Sequence, residues 1–316
     1  MKIKFSAFTL FFCLFLTSCA SISGYGEPED RYIVSAIGFD RVGEALEVSV
    51  QIVGNEGEKD LIRSGRGENV RQAMGHIEGA DAKQLEISHC ALIVIGDSID
   101  KNTLSDIFDY CRKNNDITVG VKVAAAYNAK ELLSLDGANG YELIGAIRDN
   151  ADGVGFTKGS RFYEIEEIRA SEDESVYHLP YFFAGEDSYS VEGLKIYRAD
   201  IGIVRLDRSE SAYYMMIKGK LQGGVADIEY EGGSDSVYVV SSKIKRREEE
   251  NNLYLTLEIE VNRELMGEDE DKVIKGMSAA AEKLCRELTD RYGDVFGFGD
   301  KEIFVECKLK RGALNE

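Results

Sequence analysis

Leu46-Glu47-Val48-Ser49-Val50-Gln51-Ile52-Val53 alternates apolar and polar side chains over the length of one strand. A period of two places Leu46, Val48, Val50 and Ile52 on one face of a half-buried sheet. Just upstream, Tyr32–Gly38 is a second apolar run, so the folded part of the chain opens with sheet. Asp60–Gly67, with Ser64-Gly65-Arg66-Gly67, reads as a polar loop. The period then changes. Val70, Ala73, Met74 and Ile77 recur at three and four residues, which predicts a helix over Glu68–Glu78.

The same two periods carry the reading onward. Strands are expected at Gln84–Ile95 and Ile117–Tyr127, and helices at Ser98–Arg112, Ala129–Leu135, Tyr141–Asn150 and Arg161–Ala170. Acidic Ser171–Ser175 marks a boundary. Strands resume at Leu179–Phe183, Gly193–Arg198 and Gly202–Leu206, with a turn at Ala199-Asp200. Ser209–Lys220 is helix-like. Gly224–Tyr230 and Ser236–Lys245 follow as strands, and Leu253–Val261 pairs with the latter across polar Glu248–Asn252. Val273, Met277, Ala280, Ala281, Leu284 and Leu288 line one face of a long helix, Asp271–Tyr292, and a strand closes the chain at Ile303–Leu309. Without a regular βαβ repeat, this order predicts α+β: mixed or antiparallel sheets with packed helices. Three small consecutive domains are expected, over 30–127, 128–190 and 191–316.

Lys2 and Lys4 precede an apolar run from Phe5 to Leu16, broken by Ser6 and Thr9. Such flanks and length fit the core of a secretory signal, whereas spanning a bilayer takes about 20 apolar residues. The run ends in Leu16-Thr17-Ser18-Cys19, which resembles a bacterial lipobox. In that chemistry the thiol of Cys19 takes diacylglycerol and a peptidase cuts after Ser18. Residues 1–18 are then a lipoprotein signal peptide and 19–29 a lipidated tether. The protein is expected on the outer face of the cell membrane.

Among 316 residues there are 57 Asp and Glu against 38 Lys and Arg, a net charge of -19. Removing residues 1–18 takes away two Lys and no acid, leaving -21. So acidic a surface excludes a nucleic-acid binder and gives no attraction to an anionic bilayer. With 44% hydrophobic residues the chain buries a sizeable core. Beyond Cys19 and the Cys13 of the signal, Cys90, Cys111, Cys285 and Cys307 form an even set, which permits disulfides outside the cell. Cys90 in a strand and Cys111 and Cys285 on helices also read as buried free thiols; both alternatives stay open.

No arrangement of reactive residues emerges from the spacing. His76, His89 and His178 lack any metal-binding interval and read as structural. No G-x-S-x-G or C-x-x-C is present. Ser64–Gly67 and Asp152–Gly159 both fail the phosphate-loop spacing. Glu268-Asp269-Glu270-Asp271 opens a helix, where acids complement the dipole, and it lacks the ligand interval of a calcium loop. No catalytic, metal or cofactor residue is therefore assigned, and a binding or assembly protein is expected.

Several short motifs, in order, resemble the spore-germination lipoprotein family Ger(x)C. Ile33-Val34-Ser35-Ala36-Ile37-Gly38-Phe39-Asp40 is similar to its first strand, IV-x-x-IG-x-D. Ser64-Gly65 with Ala73 resembles its (S/T)G…EA segment. His89–Gly96 followed by Asp97 is similar to H-x-K-x-I-x-I-G-E, and Ala129-Lys130-Glu131-Leu132-Leu133 to A-K-E-x-L. Gly193–Asp200 and Gly202–Asp207 resemble a G-L-A-V-F-K-x-D-K-L-V-G-x-L-D hairpin, and Ser209–Gly219 stands where the family has E-x-x-G-x-x-x-L-K-G. Asp294–Gly299 is like its A-D-x-F-G-F-G.

The resemblance implies the C subunit of a nutrient germinant receptor, without enzymatic activity or cofactor. It implies a lipid anchor on the outer face of the inner spore membrane and two integral-membrane partners, the A- and B-type subunits. Two alternatives compete. A lipid-anchored solute-binding protein would show two lobes of repeated βαβ units, and an envelope hydrolase would show a nucleophile or acid pair.

Overall fold

A computed structural model describes residues 31–54, 59–80, 84–149, 160–171, 175–230, 233–261 and 270–310. Cys19, the signal, the tether, 152–159 and Glu268-Asp269 lie outside these residues.

Strands β1 (Arg31–Val42) and β2 (Ala45–Ile52) form the opening hairpin, paired from Val42↔Ala45 back to Val34↔Ile52. Gly43 makes its turn at φ 62. The segment expected to be a polar loop is instead β3 (Leu61–Gly67), antiparallel to β2 along its whole length. Its polar side chains face outward from a sheet edge. Gly65 lets the neighbouring helix α1 (Val70–Ala80) come close, since a Cβ there would lie 2.2 Å from the Ala73 carbonyl oxygen.

Gln84–Ile95 is likewise two strands and not one. β4 (Gln84–Glu86) and β5 (Leu92–Gly96) both pair in parallel with β1, at Arg31–Ile33 and Ala36–Phe39. A turn separates them, in which Cys90 N–H donates to the Ile87 carbonyl. Helix α2 (Lys101–Lys113) leads to β6 (Lys122–Ala126). Helices α3 (Ala129–Ser134), α4 (Gly140–Asp149) and α5 (Phe162–Ala170) lead to β7 (Val176–Ala184). β8 (Tyr189–Arg198) and β9 (Ile201–Leu206) complete a nine-stranded sheet ordered β3-β2-β1-β5-β6-β7-β8-β9, with β4 beside β1. Its centre, β1-β5-β6-β7, is parallel, and a hairpin flanks each side. The sheet runs without interruption across 127/128 and 190/191, the second of which falls inside β8.

Alternation along the central strands divides the core. Ile37, Ile93, Ile95 and Val123 pack against α1, α2 and α5. Ala36, Leu92, Val94 and Ala124 pack against α3 and α4. The second layer extends further, through helix α6 (Arg208–Ile217), whose residues Ser211–Ile217 are all buried. A helix apolar on every side is a core helix. It lies between the first sheet and a second one, β10-β11-β12-β13.

This second sheet contains β10 (Gln222–Tyr230), β11 (Gly233–Glu249), β12 (Asn252–Val261) and β13 (Glu302–Leu309). The β11–β12 ladder extends to Glu249↔Asn252, so the expected polar turn shrinks to Glu250-Asn251. Helix α7 (Glu270–Tyr292) lays Val273, Met277, Ala281, Leu284 and Leu288 into the same core. Arg198, at the end of β8, donates to the Tyr292 carbonyl at 2.5 Å and so ties the first sheet to the end of α7. The whole is α+β with mixed sheets and helices packed on them.

Candidate functional site

Open sheets with parallel strands present their binding edge at the carboxyl ends of those strands. There β1 reaches Asp40, β5 ends in Gly96 and passes into Asp97, and β6 runs into Tyr127, where the chain turns toward α3. Asp40 is buried. Its carboxylate accepts from Ala129 N–H at 2.9 Å and Lys130 N–H at 2.8 Å, capping the start of α3. A Cβ at Gly96 would lie 2.0 Å from Asp40 Oδ1, and one at Gly38 would lie 3.0 Å from Ala129 Cβ. Three motifs far apart in sequence thus meet at one carboxylate. Opposite Asp40 on β2, buried Glu47 accepts from Arg66 Nε at 2.8 Å and Lys130 Nζ at 3.4 Å.

Burial pushes the Asp40 carboxyl above its usual range, against the pull of the two N–H donors. The native state therefore holds that proton more tightly than the unfolded chain. Stability from this group is fully present at acid pH and declines as pH rises from the ordinary carboxylate pKa through the raised one. In Asp40→Asn no proton is exchanged, and one of the two N–H groups loses its acceptor. Urea unfolding from pH 4 to 7 should show the variant less stable throughout, with the gap narrowing as pH rises. Parallel curves would contradict this account.

One residue beyond β5, Asp97 accepts from Tyr181 Oη at 2.8 Å and Lys195 Nζ at 2.6 Å, linking that strand end to β7 and β8. The Tyr181 hydroxyl is pushed up to about 12, chiefly by burial and then by its bond to Asp97. Tyr127, just past β6, and Phe183, on the neighbouring β7, are 73% and 51% exposed. Below, Gln51 satisfies all its amide capacity. Its oxygen accepts from Ser35 Oγ and Gly140 N–H, and its nitrogen donates to the Leu133 and Ala138 carbonyls. These carboxylates and amides already hold protein partners, so they position α3 and the strand ends.

The second cluster closes α7. Asp294 accepts from the backbone N–H of Phe296, Gly297, Phe298 and Gly299 at 2.5 to 3.2 Å. Burial works to raise its pKa, but the four donors outweigh that and hold it low. Gly297 and Gly299 supply φ 77 and 72 for this fold-back. Lys218 Nζ donates to the Phe296 carbonyl at 3.3 Å, and burial draws its ammonium down to about 8.

The residues singled out from sequence are not brought together. His76 Nδ1, on α1, lies 2.6 Å from the Arg66 carbonyl, exposed His89 offers its carbonyl to Tyr141 Oη, and buried His178 stands edge-on to Tyr214 from β7. Cys90, Cys111, Cys285 and Cys307 are free and buried, which decides their pairing. Among the described residues no group of three or more His, Cys, Asp or Glu could hold a metal ion. No described helix is long and apolar enough to cross a membrane. In the sequence, Asp40, Asp97 and Asp294 stand as motif letters without roles. The available signal is an acid directly ending an apolar strand, or directly preceding a glycine-rich turn.

A family model described as the spore germination protein N-terminal domain matches residues 24–182. A second, described as spore germination B3/GerAC-like, C-terminal, matches residues 193–305. The chain belongs to the Ger(x)C family. Every motif that meets at Asp40 lies within the first match, and the Lys218–Asp294 cluster lies within the second. A solved structure titled "Crystal Structure of the GerBC protein" is similar to 86% of this Ger(x)C chain and 96% of its own, at 13% identity and a TM-score of 0.48. No curated protein matches.

Proposed function

We propose that this Ger(x)C protein is a non-enzymatic C subunit of a spore nutrient germinant receptor. It is carried by diacylglycerol on Cys19 after cleavage behind Ser18. It sits on the outer face of the inner spore membrane beside the A- and B-type integral subunits, and germination signalling depends on it. The observation that carries this reading is the tandem match of both family domains, in order, over 24–182 and 193–305. The engagement of Asp40, Asp97 and Asp294 in internal bonds fits a body built for assembly. Deleting the coding sequence in a strain stripped of other nutrient receptors is the test. Loss of germination to at least one nutrient is expected. Unchanged germination to every nutrient that the parent answers would overturn the reading.

A further inference from the structure

The parallel strands have an amino-terminal edge, opposite the one that holds Asp40 and Asp97, and the described chain enters the fold there at Arg31. Large apolar side chains stand exposed along it. Ile33 is on β1, Val53 donates its N–H to the Ile33 carbonyl, and Leu61 faces Ile52 from β3. Val119, 69% exposed, stands just before β6, and Tyr163, on the first turn of α5, donates its N–H to the Val119 carbonyl. Between these groups exposed Tyr141, on the first turn of α4, donates to the His89 carbonyl ahead of β5. Ile201 carries the row on to the start of β9.

Where Cys19 lies decides what meets this edge. Twelve residues, Cys19 to Asp30, precede the first described one, and they span at most about 40 Å. β1 alone runs about 30 Å from Arg31 to Asp40. To set the carboxyl edge against the bilayer, the tether would have to run back along all of β1. The amino edge needs no such detour. Tyr with branched apolar side chains also suits the level of the lipid headgroups.

Charge sets the depth. Glu86 is paired with Arg31 at 2.6 Å and Asp200 with Arg169 at 2.7 Å, so these two acids bring no net charge to the edge. Asp116 and Glu142 remain exposed there, which keeps the contact shallow.

We infer that the amino-terminal edge rests on the membrane surface, with Ile33, Val53, Leu61, Val119, Tyr141 and Tyr163 at headgroup level and the carboxyl edge turned away. This inference rests on the reading in which diacylglycerol on Cys19 holds the chain at the bilayer. The edge orients the body, and the lipid retains it.

Its test uses the full lipidated chain in vesicles of phosphatidylethanolamine and phosphatidylglycerol whose acyl chains carry bromine near the headgroup. The chain has no Trp, so Val119→Trp, Tyr163→Trp and Tyr127→Trp each hold a single indole, at exposed positions. An interfacial element settles about 5–10 Å into the headgroup boundary, so bromine should quench the first two at least about twofold and leave Tyr127→Trp unquenched. If the chain floats with the vesicles and all three positions are quenched equally, high or low, the orientation is wrong and the anchor stands. If the unmodified chain does not float with them, the anchor reading falls and takes this inference with it. In spore membranes, a photo-crosslinking phenylalanine analogue at Tyr163 is expected to join lipid. Adducts with polypeptide alone would overturn the inference.

Discussion

Gly193→Val is expected to destabilise the protein by about 4 kcal/mol, from backbone strain together with overpacking. Gly193 sits at φ 149 beside the bulge where the β7–β8 register shifts between Tyr181 and Phe182. A Cβ there would lie 2.2 Å from the Leu206 carbonyl oxygen, 2.7 Å from that of Asp207 and 2.7 Å from Ser211 Oγ. The first two are backbone at the entry to α6, and Ser211 begins its buried stretch. Relief therefore means moving the helix that both sheets share. Gly43→Val is the control. Its φ is 62, yet a Cβ there would meet no atom within 4 Å, so it bears the conformational cost of about 1–2 kcal/mol alone. Thermal melts should place Gly193→Val roughly 10 °C below wild type and Gly43→Val much nearer to it. Equal shifts would mean that the close approach to Leu206 carries no weight.

What can be read directly from the sequence is local. The β1–β2 hairpin follows from alternation, α7 from three-and-four spacing, and the β8–β9 turn from Ala199-Asp200, where a short acid tolerates the left-handed region. β3 escapes because an edge strand with polar outward side chains and two glycines shows no apolar alternation. Only its pairing with β2 makes it a strand. β4 and β5 merge into one run because Ile87 and Cys90, in the turn between them, are buried as β5 is. The parallel pairings and the continuity of the sheet depend on partners far away in sequence. Asp40 is the sharpest case. It is visible as the last letter of a strand motif, but its work is done on Ala129 and Lys130, 89 and 90 residues on. The Asp294 loop is the opposite, since donor and acceptor lie within five residues, yet the bond pattern still needs the φ values of Gly297 and Gly299.

Cys19→Ala is expected to leave the fold intact and to move the protein from the membrane to the soluble fraction. The proposed anchor is purely apolar. At about 0.8 kcal/mol per buried CH₂, one chain of some 14 carbons holds only marginally, whereas two or three chains make a stable anchor. Nothing in the body's charge replaces that. With residues 1–18 removed, as the proposed cleavage requires, it would carry 36 basic and 57 acidic residues, and an anionic headgroup layer repels such a body within a Debye length of about 8 Å. The apolar run Phe5 to Leu16 is too short to span about 30 Å of hydrocarbon in its place. Cys90→Ala supplies the contrast, since removing a buried thiol from the core should leave partition unchanged. Fractionation of spores carrying each variant decides the matter, and full membrane retention of Cys19→Ala would refute the lipid anchor. Once the anchor is lost, any residual membrane association must run through protein contacts.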